Sequence, residues 1–289
     1  MEQQTSGKRR VVLLDGAVGT SLWEKAADKV PVWRYNIENP AIVRELHREM
    51  LDAGAEIVLA NTFGANGGAV RRSPYAVEQV VREGVRLCRE TVGDRAKVAL
   101  SCGPLIGLLE PYGDVTEDEA EALYTEMLDA GMKEKPDLIF LQTFIDLAML
   151  TVAARCARRY DVPLFCSMSF EKVGKTMMGN SVADMLGELA PYRPDAVGLN
   201  CSLGPDLAMP VLKQFREQTE LPLIFKPNAG KTTLVNGESV TELDPAVFVR
   251  DTLPAVDAGA TYIGGCCGAN AGYIRRLRQG LRDAGALAD

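Results

Sequence analysis

The chain has 289 residues, 47% of them apolar and 6% aromatic, with a formal net charge of −7. That is enough to bury a large core, either as one α/β barrel or as two ordinary domains. The acidic balance, with no basic stretch beyond Lys8-Arg9-Arg10, argues against nucleic-acid binding, and no apolar run is long enough to span a membrane. Residues 1–10 are polar, lack the apolar core of a signal peptide and read as a flexible N-terminal tail. Seven cysteines without regular spacing point to reduced thiols in the cytoplasm.

From residue 11 onward, apolar strand-like runs alternate with helix-like segments. Run 11–15 precedes a helical stretch, 40–53, that places Ile42, Val43, Leu46, Met50 and Leu51 on one side. Its neighbour His47, the one histidine, reads as a structural residue. Runs 56–62 and 98–102 come next. Thr116-Glu117-Asp118-Glu119 then has the form of an N-cap with Glu at the capping-box position. Runs 137–144, 163–170, 196–202 and 222–228 follow. Asp244-Pro245 opens a helix to about residue 256, and run 262–267 is the last. Several runs are continuous rather than alternating, as expected of parallel strands buried on both faces. Eight strands alternating with helices predict a TIM (β/α)8 barrel, one domain over residues 11–289, with a doubly wound open sheet as the alternative. The longest irregular stretches, 64–73, 103–115, 171–180 and 229–242, all follow strands, where barrel enzymes keep their catalytic loops.

The predicted strand ends are Asp15-Gly16, Asn61-Thr62, Ser101-Cys102, Gln142-Thr143, Ser167 to Ser169, Asn200-Cys201, Lys226 to Asn228 and Cys266-Cys267. All are polar or zinc-competent, on strands that are otherwise apolar. Cys201 would end the sixth strand and Cys266-Cys267 the eighth, so one strand separates tips that can reach a common point. Gly264, Gly265 and Gly268 give the backbone freedom for two adjacent cysteines to meet one ion. Three thiolates leave a fourth position on zinc open, which marks a reaction site rather than a structural one. A vicinal disulfide and unligated core cysteines are the competing readings. Cys88 and Cys156, in helical segments, read as packing residues, and Cys102 and Cys166, in strands, as packing or lining. Three anionic sulfurs weaken zinc as a Lewis acid. Such a site suits a fourth thiol, ordinarily of pKa about 8.5, held as a thiolate and aimed at an electrophilic carbon.

Asp15-Gly16-Ala17-Val18-Gly19-Thr20, Asn61-Thr62-Phe63, Gly198-Leu199-Asn200-Cys201, Lys226-Pro227-Asn228-Ala229-Gly230 and Gly264-Gly265-Cys266-Cys267-Gly268 together resemble the homocysteine S-methyltransferase family. The resemblance runs in order from about Val11 to the last helix. It implies a zinc TIM barrel in which Cys201, Cys266 and Cys267 hold the metal and the substrate sulfur completes the set. It further implies that Asp15 helps position the amino acid, that Asn200 orients the site, and that Asn228 sits at the pocket rim. Asn61, Thr62 and Gln142 are the remaining candidate substrate contacts. The implied activity is zinc-dependent methyl transfer to a small-molecule thiol, most simply homocysteine in methionine biosynthesis.

Two positions depart from the family pattern. Gln142 stands where the family usually has Glu, and Ala60 replaces a Glu common before Asn-Thr-Phe in methionine-synthase-like members. Both changes remove negative charge that would hold a substrate ammonium. No cobalamin or nucleotide signature is present, so the methyl donor is expected to be a small molecule or a methyl-corrinoid carried by a separate protein. Two rival readings follow: a component of a corrinoid-dependent system acting on another donor or acceptor, such as a methyl ether, and a non-catalytic zinc-binding protein.

Overall fold

The computed structural model describes residues 10–287 apart from 231, 236, 237 and 242; most of the expected N-terminal tail therefore lies outside the described residues. The barrel strands are Val12–Leu13 (β1), Ile57–Leu59 (β2), Lys97–Cys102 (β3), Leu138–Phe144 (β4), Leu164–Met168 (β5), Ala196–Asn200 (β6) and Leu223–Lys226 (β7). After a two-stranded hairpin, Thr232–Val235 (β8) and Glu238–Thr241 (β9), the last barrel strand is Ala260–Ile263 (β10). The 8-stranded sheet runs β1-β10-β7-β6-β5-β4-β3-β2, with every pairing parallel. It closes where Leu14 pairs with Ile57: Asp15 N–H donates to Ile57 O (3.1 Å) and Glu56 N–H to Leu13 O (2.8 Å). The fold is a TIM barrel. None of its described helices is long and apolar enough to cross a membrane.

Each strand serves two cores because successive side chains point to opposite faces. Leu14, Ile57, Leu59, Ala99, Leu138, Phe140, Phe165, Ala196 and Ile224 fill the barrel interior. The Phe165 ring lies 5.9 Å from Phe140 and 4.5 Å from Tyr262, centroid to centroid. Alternate residues, among them Val58, Leu100, Ile139, Leu141, Cys166, Val197 and Phe225, face the helices in a larger outer core. Cys88, Cys102, Cys156 and Cys166 are all fully buried there. Continuing the inward parity past the apolar layer reaches Ser101, Gln142, Ser167, Asn200 and Lys226. The barrel axis thus turns polar toward the C-terminal ends of its strands.

Three expectations are corrected. The last strand spans Ala260–Ile263, not 262–267, because the chain leaves the sheet at Gly264-Gly265 to meet loops on either side. The stretch 229–242 is not irregular throughout, since β8 and β9 pair antiparallel within it. Their runs flank an Asn-Gly dipeptide, a strong hairpin signal in sequence. The helix opened by Asp244 ends at Thr252, and a short turn of helix, Pro254–Asp257, follows; proline at 254 cannot donate to the preceding turn. Thr116 caps the helix Glu117–Met132 by accepting from Glu119 N–H (3.2 Å).

His47 lies fully buried on the helix Pro40–Asp52 beside Val43, Leu46 and Met50. Burial lowers its pKa to about 4, from an ordinary 6.5. The unfolded chain therefore takes up a proton before the folded one does. Stability contributed by neutral His47 is complete above about pH 6.5 and is lost as pH falls toward 4, by up to about 3 kcal/mol. In chemical denaturation between pH 7 and pH 4, His47→Leu is expected to show a shallower loss of stability than the parent; equal slopes would refute it.

Candidate active site

The three cysteines flagged in the sequence are the ones that meet. Cys201, Cys266 and Cys267 have sulfurs within 4.8 Å of one another, and Cys201 Sγ lies 3.8 Å from Cys267 Sγ. They are partly exposed, whereas the other four cysteines are buried. Two sulfurs held tetrahedrally by one zinc at about 2.3 Å would stand about 3.8 Å apart. The observed spacing and the all-sulfur donor set both fit zinc, a metal that thiolates select.

Backbone bonds between loops set this geometry. Cys201 follows β6 with φ 63°, and Ser202 follows with φ 57°. Consecutive left-handed residues without glycine are costly, roughly 1 kcal/mol or more each. They are held by Cys201 N–H to Lys226 O (3.2 Å) and Leu203 N–H to Cys201 O (2.7 Å). On the other side, Cys266 N–H donates to Pro227 O (2.7 Å) and Ala229 N–H to Cys267 O (2.9 Å). Gly265 is required by close approach, since a Cβ there would stand 2.3 Å from Ala269 Cβ. Gly268 is required by its φ of 79°.

Asn200, fully buried, ties the cysteines to the neighbouring strands. Its Nδ2 donates to Thr143 Oγ1 (2.7 Å) and reaches Cys266 Sγ (3.7 Å). Its Oδ1 accepts from Thr143 N–H (2.8 Å) and Ser167 Oγ (2.6 Å), and its main-chain oxygen accepts from Ser169 Oγ (3.0 Å). Thr143 has φ 67°, an outlier for a β-branched residue, and the two bonds to Asn200 hold it there.

The cysteines do not ionise alike. Cys266 is pulled well below the usual thiol range, first by hydrogen bonds from the Cys201 and Cys267 thiols, then by the Lys226 charge and Asn200. Cys201 is pushed up to about 12 and Cys267 is also raised, because each shares its proton with Cys266.

The remaining candidates lie around this centre. Asp15 is fully buried; Oδ2 accepts from Leu59 N–H (2.7 Å) and Oδ1 lies 3.2 Å from Lys226 Nζ. Burial raises its pKa, and Lys226 and the Leu59 amide pull it back. Gln142 Nε2 donates to Ser101 Oγ (2.7 Å), while Oε1 has no partner among the described residues. Thr62 Oγ1 donates to Ser101 O (2.8 Å) and accepts from Ser101 N–H (3.1 Å). Asn61 bonds away from the cysteines, to Val32 O and Asn36 Oδ1 (both 2.8 Å). Asn228 is buried between the two cysteine loops; its N–H donates to Leu203 O (2.9 Å) and its side-chain oxygen has no partner among the described residues. The sequence places Lys226, Thr143 and Ser167 at polar strand ends but gives none of them a role at the site. A lysine closing the apolar run Leu223-Ile224-Phe225 is a further signal for the first; the strand-end position is all that marks the other two.

A family model described as homocysteine S-methyltransferase matches residues 12–281. The chain belongs to this family. Among curated relatives, methionine synthases from Mycobacterium leprae and Mycobacterium tuberculosis are 27% and 28% identical over 93% of this chain. The chain spans only 24% of their length. Solved structures of the homocysteine methyltransferase MmuM from Escherichia coli share the fold. The metallated form aligns with a TM-score of 0.78 at 21% identity, covering 94% of this chain and 96% of that one. The oxidized form gives 0.77 at 23% identity over the same shares.

Replacing Cys266 with Ala removes one of the three clustered sulfurs. If the cluster holds zinc, metal retained after gel filtration, measured by elemental analysis, is expected to fall to near zero in this variant. A variant that keeps one zinc per chain would overturn the ligand assignment.

Proposed function

We propose that this protein is a zinc-dependent S-methyltransferase whose acceptor is a small-molecule thiol, most simply homocysteine. The observation that carries the reading is the trio of accessible sulfurs at zinc-compatible spacing, at the polar end of a barrel of this family. Cys201, Cys266 and Cys267 would hold the metal, which when bound there keeps a substrate thiol deprotonated at neutral pH.

The chain's own residues supply the rest. The substrate thiol releases its proton to solvent, its sulfur forms a bond to the methyl carbon, and the demethylated donor leaves with the electrons of the broken bond to that carbon. Barrel loops bring the two reactants together, which replaces a bimolecular encounter by an oriented one. Gln142 Oε1, anchored through its amide by Ser101, can accept from a substrate ammonium but adds no charge. Asn228 stands between the cysteine loops with an acceptor that no described residue occupies, and Asn200 fixes the direction of Cys266. Asp15 contributes its charge from beneath, through its pairing with Lys226.

A neutral Gln142 also favours a second reading, in which the same site works in a corrinoid-dependent system with a different methyl acceptor. Titration of the zinc-loaded protein with homocysteine, by calorimetry and zinc-edge absorption at saturation, separates the two. Binding with one added sulfur ligand supports the homocysteine reading. An intact three-sulfur spectrum with no heat of binding would overturn it and favour the second. On the first reading, Gln142→Glu is expected to tighten homocysteine binding by about tenfold, on the order of 1.4 kcal/mol for one added charge contact. Unchanged or weaker affinity in the same titration would remove Gln142 from the ammonium site.

A further inference from the structure

Lys226 is 2% exposed at the end of β7, although lysine is among the residues least often buried. Its ammonium donates to two main-chain oxygens from two loops, Gly265 O (2.6 Å) and Gly16 O (3.1 Å), and forms an ion pair with Asp15 Oδ1 at 3.2 Å. A buried ion pair generally adds little stability over an apolar pair of similar volume, so the pair is poorly explained as a stabilising device. What it supplies is direction. In the sheet order β1-β10-β7, the side chain reaches from β7 across the end of β10 to the loop after β1. Gly265, whose carbonyl receives the shortest of these contacts, immediately precedes Cys266. The main chain of the same lysine acts on the other cysteine loop, since its carbonyl accepts from Cys201 N–H (3.2 Å). Lys226 therefore touches both halves of the sulfur cluster, one through its backbone and one through its side chain.

We propose that Lys226 is a positioning residue for the metal centre, holding the Gly264–Cys267 turn through the Gly265 carbonyl so that Cys266 and Cys267 face Cys201. The proposal rests on the reading of the cysteines as a metal site. It assigns the Asp15 carboxylate a supporting part, keeping the ammonium aimed at the two carbonyls.

The test compares zinc affinity, by competition with a chromophoric chelator, and the sulfur-to-metal charge-transfer band of the cobalt(II)-substituted protein. Lys226→Met is expected to weaken zinc binding ten- to a hundredfold and to shift the cobalt band. The double variant Asp15→Leu/Lys226→Met removes both buried charges together. It is expected to recover thermal stability while zinc binding stays weak. Recovery of affinity together with stability would overturn the proposal, because Lys226 would then only neutralise Asp15. If neither variant folds, Lys226→Arg decides. It keeps the charge, but its planar fork cannot meet the same three oxygens, so weaker binding and a shifted band are expected. Parental affinity and spectrum in that variant would overturn the positioning role. Parent protein that takes up no zinc would overturn the metal reading itself and this proposal with it.

Discussion

Closure of the sheet between Leu14 and Ile57 fixes the height of every inward side chain. An open sheet could slide its edge strands by a register step; a closed one cannot without breaking pairings all the way round. With the register fixed, the apolar layer of Leu59, Ala99, Phe140, Phe165, Ala196 and Ile224 lies beneath a polar level of Ser101, Gln142, Ser167, Asn200 and Lys226. The three clustered sulfurs sit above that level because β6 and β10 end there, one strand apart. The site is thus a consequence of where the strands stop as much as of which residues follow them.

Buried polar groups must find partners, and here they find one another. Asn200 uses both ends of its amide on Thr143, and Ser101 links Gln142, through its own hydroxyl, to the Thr62 hydroxyl, through its main chain. Lys226 and Asp15 neutralise each other out of water. Left-handed backbone at Thr143, Cys201 and Ser202 persists because this network over-determines it. At the site this strain falls at the C-terminal ends of strands, Thr143 within the last residues of β4 and Cys201-Ser202 just after β6.

Much of this was readable from the chain. Continuous apolar runs gave the strands and their order, since parallel strands buried on both faces leave little ambiguity of type. Cys201 and the Cys266-Cys267 pair were recognisable because their glycine and asparagine neighbours are unusual company for packing cysteines. The end of β10 was misplaced because Gly264 and Gly265 extend its apolar run beyond Ile263 and still bond main chain to main chain, with Phe225 and Asp15. The hairpin in 232–241 was missed although its Asn-Gly dipeptide carried the signal. The partners of Asn200 could not be read at all: Thr143 and Ser167 are distant in sequence and meet it only once the barrel closes. Lys226 was hidden for a related reason. A lysine at a strand tip usually reaches solvent, and only the inward parity of β7 turns it toward Gly16 and Gly265.

Two of the three sulfurs belong to consecutive residues, so the cluster has two mechanical anchors rather than three. One is the loop after β6; the other is the loop after β10, and the segment 226–229 is the strut between them. Any widening of the mouth changes mainly the span from Cys201 to the pair and leaves the pair's own spacing to local torsions. The centre is thus built like a calliper, with the distance between its jaws set by how segment 226–229 bonds to each of them.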